Sequence, residues 1–166
     1  MRSLTSLCLG LAVAGWSVSA AAQVVVVFDH PETYTDAGLH ADYGAKAREP
    51  AMQGIREHLE KLGRRTLRPG QKLAVTVLDV DLAGRFEPWH PLATHIRFMR
   101  DITWPRIKLR YTLEENGVVQ SSNEEVLADQ NYQAHAGTYL NSDPLRYEKV
   151  MLDDWFRARF GKVQPR

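Results

Sequence analysis

Residues 105–114 constrain the fold of this chain more than any other stretch, because apolar and polar side chains alternate along them without a break. Alternation with a period of two is the pattern of a β-strand with one buried and one solvated face. Asn116 and Gly117 follow, and this pair supplies the positive φ angles that a two-residue hairpin turn requires. The sequence therefore predicts a β-hairpin whose second strand covers residues 118–127.

A two-residue turn also fixes which residues face each other across the hairpin. It places Lys108 opposite Glu125, which pairs opposite charges. The same register places Leu109 opposite Glu124, which is unfavourable on a buried face. We therefore expect either a β-bulge near residues 121–122 or a sheet face that is partly open to solvent.

Three further patterns precede the hairpin in the chain. Residues 24–28, four valines and a phenylalanine, predict a buried strand, and residues 72–82 predict a second strand that is central in its first half. Between them, apolar residues at helical spacing over residues 52–62 predict an amphipathic helix. Pro50 suits the first turn of this helix and Gly63 suits its end.

A last helix is predicted after the hairpin. Ser-Asp-Pro at residues 142–144 is a start signal, and the helix is expected to end near Phe160. Trp155 and Phe156 belong to its apolar stripe and are expected in the core, whereas Glu148 is expected on its solvated face. The whole order predicts one α+β domain, a small and mostly antiparallel sheet of about four strands (β-α-β-β-β-α) covered by two helices.

The first 22 residues have the composition of a secretory signal peptide. Arg2 supplies one positive charge, residues 4–18 are almost wholly apolar, and small residues end the segment at Ala22. The apolar stretch is shorter than a bilayer span requires, so no stable membrane anchor is expected. We expect cleavage after Ala22, which leaves residues 23–166 as a single domain in the periplasm or outside the cell.

Removal of this leader limits the chemistry of the mature chain. The chain has 21 basic and 20 acidic residues, and the loss of Arg2 makes the two numbers equal. The only cysteine, Cys8, is lost as well, which excludes a disulfide, a zinc–thiolate site and a cysteine nucleophile. Without a strong net charge, neither nucleic acid nor an anionic membrane is expected as a partner.

Two aspartates form the first candidate site. Asp79 and Asp81 lie on one face of the second strand, at its exit. Together with Asp29 or His30 from the loop after the first strand, they could share a proton or hold a hard cation. The alternative is that they pair across the sheet with Arg106 and its alternate neighbours as ordinary ion pairs. Their spacing matches no known metal-ligand motif, so no metal site or cofactor is predicted.

The second candidate site is the loop 85–101. It shows no period, and loops of this length in a compact domain are more often functional than not. Trp89 is either an exposed contact residue for a partner or packs back onto the sheet. His90 and His95 are separated by five positions with no glutamate between them, which does not match a metallohydrolase. We expect both histidines to be exposed loop residues.

Five segments together resemble a known family. They are Phe28-x-x-Pro31-Glu32-x-Tyr34-x-Asp36, Asp79-x-Asp81-Leu82-Ala83-Gly84, Pro105-Arg106-Ile107, Asp129-x-Asn131-Tyr132, and Leu145-Arg146-Tyr147-Glu148-Lys149-x-Met151-Leu152-x-x-Trp155-Phe156. The chain resembles, over its whole mature part, a family of bacterial exported proteins known as domain of unknown function 3016. The resemblance implies export and one small domain. It implies no activity, cofactor or site residue.

These observations lead to two hypotheses. The first is a non-enzymatic binding module that uses the loop 85–101 to contact an envelope protein or a small ligand, and the lack of any recognised catalytic spacing favours it. The alternative is a metal-binding protein or hydrolase that uses Asp79 and Asp81 with Asp29 or His30. This alternative requires the loops after the first two strands to meet at one edge of the sheet.

Overall fold

The computed structural model describes residues 22–41, 44–89, 94–135 and 137–161. The predicted signal peptide, apart from Ala22, lies outside these residues, and so does His90. In chain order the strands and α-helices are β1 (Gln23–Phe28), α1 (Ala45–Thr66), β2 (Gln71–Asp81), β3 (Arg85–Phe86), β4 (Arg97–Phe98), β5 (Arg106–Glu115), β6 (Val118–Ala128) and α2 (Arg146–Phe160). Neither of these two helices combines the length and the apolar composition needed to cross a bilayer.

Four of the strands form one mixed sheet in the order β1-β2-β5-β6. β1 runs parallel to β2, because α1 carries the chain back across the sheet between them, and the other two pairs are antiparallel. The predicted α+β fold, with a mostly antiparallel four-stranded sheet and two helices, is confirmed. The strands β3 and β4 form a separate two-stranded hairpin within the loop 85–101.

The turn between β5 and β6 is confirmed, with both central residues at positive φ. The predicted bulge is also confirmed, and it lies at Gln120, just before the expected position. It shifts every later pair by one residue, so Lys108 faces Val126 and the predicted pairing of Lys108 with a glutamate across the strand is wrong. The shift brings Arg110 opposite Glu124, and their side chains form an ion pair of 2.7 Å.

Helix α1 extends beyond both of its predicted ends. It runs from Ala45 to Thr66, so Pro50 lies inside the helix and Gly63 does not end it. The residues just before Pro50 are strong helix formers, which explains the earlier start. Gly63 is buried against β1, where a Cβ atom would overlap the side chain of Val24. This glycine therefore serves close packing rather than termination.

The hydrophobic core lies between the two helices and one face of the sheet. Trp155 and Phe156 of α2 are buried in it, as predicted, together with Ile55 of α1 and Leu109 of β5. α2 begins at Arg146, just after the predicted start signal, and ends at the predicted residue. The opposite face of the sheet is uncovered by either helix.

Glu148 corrects the predicted solvated face of α2. Its side chain is buried, with 1% relative exposure, although a charged residue was expected in solvent. Positions three, four and seven apart share a helix face, so Glu148 lies in the same stripe as Met151, Leu152 and Trp155. The helical period therefore places a carboxyl group inside the protein.

Candidate functional site

The two predicted aspartates are already engaged in contacts within the protein. Asp81 is 3% exposed and binds two guanidinium groups, that of Arg106 across the sheet at 2.5 Å and that of Arg85 at 3.0 Å. Asp79 accepts hydrogen bonds from the backbone N–H and the hydroxyl of Thr35, at 2.7 and 2.8 Å. The cross-strand alternative is confirmed for Asp81 and Arg106, and Asp79 holds the loop after β1 against β2.

The residues proposed as metal ligands do not converge. The side chain of His30 is exposed and lies 3.1 Å from Glu32 and 3.7 Å from Asp29. The hydrogen bond to Glu32 and the two carboxylate charges raise the pKa of His30. Across the described ranges, no three side chains of histidine, cysteine, aspartate or glutamate lie close enough together to bind a metal ion.

A groove of about 570 Å³ lies between the loop that follows β1 and the β3–β4 hairpin. We name it the cationic groove, because its lining includes Arg48 at the start of α1, Arg85 of β3, and the imidazoles of His40 and His95. Pockets that bind small ligands have volumes of about 300–1,000 Å³, so the groove has the size of a ligand site. His95 is exposed, as predicted.

The cationic groove has an excess of positive charge. Asp36 is the one carboxylate among its described lining residues, and it accepts a hydrogen bond of 2.7 Å from Arg97, which neutralises it. Arg48 forms no hydrogen bond or ion pair with any residue in the described part of the chain, and it acts on Glu32 only through long-range electrostatics. A guanidinium group without a partner in a concave surface attracts anions.

Arg97 joins the two walls of the groove. Its Nε donates to the carbonyl of Ala83 at 2.7 Å, Nη1 donates to the carbonyl of Gly38 at 3.1 Å, and Nη2 donates to Asp36. The planar guanidinium fixes these directions together, so the position of the hairpin relative to the loop is set by one side chain. Sequence reasoning missed Arg97, because its partners are distant in the chain and leave no local pattern.

The hairpin is anchored at its base and exposed at its outer end. Arg100 forms a bidentate ion pair with the buried carboxylate of Glu87, at 2.7 and 2.9 Å. Further out, Trp89 is 71% exposed and Ile96 is 55% exposed. Of the two predicted alternatives for Trp89, the structure shows the exposed one. It places this indole beside Pro88, which lines the cationic groove.

Glu148 lies under the segment that leads from β2 into the hairpin. Its Oε1 accepts a hydrogen bond of 2.7 Å from the backbone N–H of Ala83, and its Oε2 has no hydrogen-bond partner among the described residues. Burial raises the pKa of Glu148, because the ionised form is poorly solvated there. A buried carboxyl group with a free oxygen is costly, so such a group is a candidate for function.

One comparison with known proteins gives a result. The model of the family DUF3016, described as a protein of unknown function, matches residues 22–158. This chain belongs to the DUF3016 family. The match covers every strand of the DUF3016 protein and most of α2, which confirms the resemblance found in the sequence. No curated protein and no solved structure matches the chain.

Proposed function

We propose that this DUF3016 protein is an exported, non-enzymatic binding module that takes an anionic ligand in the cationic groove. The observation that carries the proposal is Arg48, a guanidinium without a described partner in a groove whose described carboxylate is already neutralised. Arg85 lies on the opposite wall, half exposed, so a ligand in the groove can contact both cations. Trp89 at the rim offers an apolar surface next to this charge.

The sequence at the start of α1 supports this proposal. The first turn of the helix contains no acidic residue, and Lys46 and Arg48 lie within or next to it. Cations at a helix N-terminus oppose the helix dipole and cost about 0.3–1 kcal/mol each. Departures from local rules of this kind are expected where function requires them. The cost is offset if the positive potential serves to attract a ligand.

The chemistry of the groove selects ligands that carry carboxylate or phosphate groups. Arginine recognises both through paired, charge-assisted hydrogen bonds. The ligand is therefore either a small phosphate-bearing molecule or an acidic segment of an envelope protein, and the two share the same contacts with Arg48 and Arg85.

Calorimetric titration of the mature chain with inorganic pyrophosphate and, separately, with a triglutamate peptide tests the proposal. We expect one of them to bind at a single site, and Arg48→Glu to weaken that binding by about 10-fold or more, because a charge-assisted hydrogen bond is replaced by repulsion. Lys61→Glu is the matched control, since it makes the same charge change at an exposed position of α1 outside the groove. Equal losses in both variants, or no binding of either probe, would contradict the proposal.

We place the protein in the periplasm or outside the cell on the composition of its first 22 residues. Amino-terminal sequencing of the protein recovered from the periplasm and the medium tests this part. The expected first residue is Gln23. Recovery of the chain only from the cytoplasm, with its leader intact, would contradict it.

A further inference from the structure

We propose that Glu148 is a positioning residue of the cationic groove and that the proton on its carboxyl group sets the affinity of the groove for anions. This inference rests on the proposed function, because it concerns the regulation of the same site. It assigns a role to a buried carboxyl group that neither the core nor the groove lining explains.

A continuous set of hydrogen bonds leads from Glu148 to both walls of the groove. The carboxyl Oε1 accepts from the N–H of Ala83, and the carbonyl of the same residue accepts from Nε of Arg97 at 2.7 Å. The guanidinium then continues to Gly38 and Asp36, which line the groove. Helix α2, the β2–β3 turn, the hairpin and the loop after β1 are thus connected through one residue each.

The surroundings of Glu148 make this connection sensitive to its charge. The charged groups that act on it are Arg97, from the hairpin, and Arg146, from α2 itself. Tyr132 and Tyr147 pack with Ala83 beside it, as neutral phenols with their rings 4.8 Å apart. No hydrogen bond within the described residues reaches Oε2, so an ionised carboxylate has one stabilising donor, the N–H of Ala83.

Ionisation of Glu148 changes what Arg97 faces. A negative charge on the carboxyl group attracts the guanidinium of Arg97 toward α2, in competition with Asp36 and Gly38 on the groove wall. It also lowers the positive potential of the groove. Both effects act in the same direction, so anions bind best when Glu148 is protonated, and their affinity falls as the pH rises and the proton leaves.

A pH titration of the ligand-free protein by NMR tests the connection itself. The signals to follow are the backbone N–H of Ala83 and the Nε–H of Arg97. We expect both to shift with one common midpoint in the wild-type protein and to lose that shift in Glu148→Gln, which keeps an acceptor for Ala83 but cannot ionise. A shift of Ala83 without any shift of Arg97 would overturn the inference, and this result needs only the wild-type protein.

Sulfate affinity at about pH 5 and about pH 8 tests the effect on binding, because sulfate keeps its charge over this range. We expect the ratio of the two affinities to be about 5-fold or more larger in the wild-type protein than in Glu148→Gln. Both proteins keep His40 and His95, so the difference isolates Glu148. Equal ratios would overturn this inference and leave the proposed function standing. Absence of sulfate binding at either pH would refute the proposed function, and the inference with it.

Discussion

Replacing Glu148 by glutamine is expected to change how the stability of the fold depends on pH. Glutamine has nearly the same shape as a protonated glutamate, and its side-chain oxygen can still accept the hydrogen bond from the N–H of Ala83. The substitution therefore removes the ability to ionise with little change in packing. The effect of the charge on folding can then be read from the difference between the two proteins.

The size and sign of the effect follow from burial. The pKa of Glu148 is raised in the folded protein, whereas the same group titrates at about 4.3 in an unfolded chain. Between these two pKa values the folded state holds a proton that the unfolded state has lost. The stability that protonated Glu148 contributes is thus complete below the unfolded pKa and is lost as the pH rises through the folded pKa, at up to about 1.4 kcal/mol per pH unit.

Urea denaturation of both proteins at a series of pH values measures this difference. At about pH 4 we expect glutamine to be less stable by about 1 kcal/mol, because its amide group lies where Oε2 has no described partner. Above this pH the wild-type protein loses stability faster, so the two curves of unfolding free energy cross. Parallel curves from about pH 4 to about pH 8 would refute the reasoning. Glu124→Gln is the control of opposite sign, since hydrogen bonds from Lys108 and Arg110 lower the pKa of Glu124.

Three further predictions concern α1 and the hairpin. Gly63→Ala should lower the unfolding free energy by about 1–3 kcal/mol in urea denaturation, because the added methyl group overlaps Val24, and an unchanged value would show that the helix shifts without cost. Arg48→Glu should raise the melting temperature slightly, by relieving about 0.3–1 kcal/mol of unfavourable dipole interaction, while it abolishes pyrophosphate or triglutamate binding; a lower melting temperature would contradict the dipole argument. Trp89→Ala should change the unfolding free energy by less than about 0.5 kcal/mol, since the indole is 71% exposed, yet it should release any envelope protein captured on the immobilised wild-type protein.

The sheet was largely predictable, because its signals are local. The alternation in β5 and the Asn-Gly turn predict the hairpin, and the unfavourable pairing of Leu109 with a glutamate predicts the bulge. The one-residue shift at Gln120 could not be placed by the turn alone, since it depends on which residues of β6 face the core. The cross-strand partners of Asp81 followed from the same logic.

The candidate site was less predictable, for two different reasons. Glu148 could have been found, because a position four residues before Leu152 and seven before Trp155 lies on the buried face of a helix. Arg97 could not, because its contacts join it to Asp36 and Gly38 across a large separation in the chain. A groove formed by two loops depends on such contacts, and no periodicity in either loop reports them.

The parallel pairing of β1 with β2 has a consequence for the order of folding. The β5–β6 hairpin closes a two-residue loop and can form in about 1–10 μs, whereas β1 can dock only after α1 has brought the chain back across the sheet. During synthesis β1 leaves the ribosome before its partner strand exists. Val25 and Val27 stay exposed even in the folded protein, at 36% and 52%, so this strand presents an apolar edge throughout that interval. The nascent chain is therefore most prone to aggregate before β2 has been made, and folding is completed by the strand that was made first.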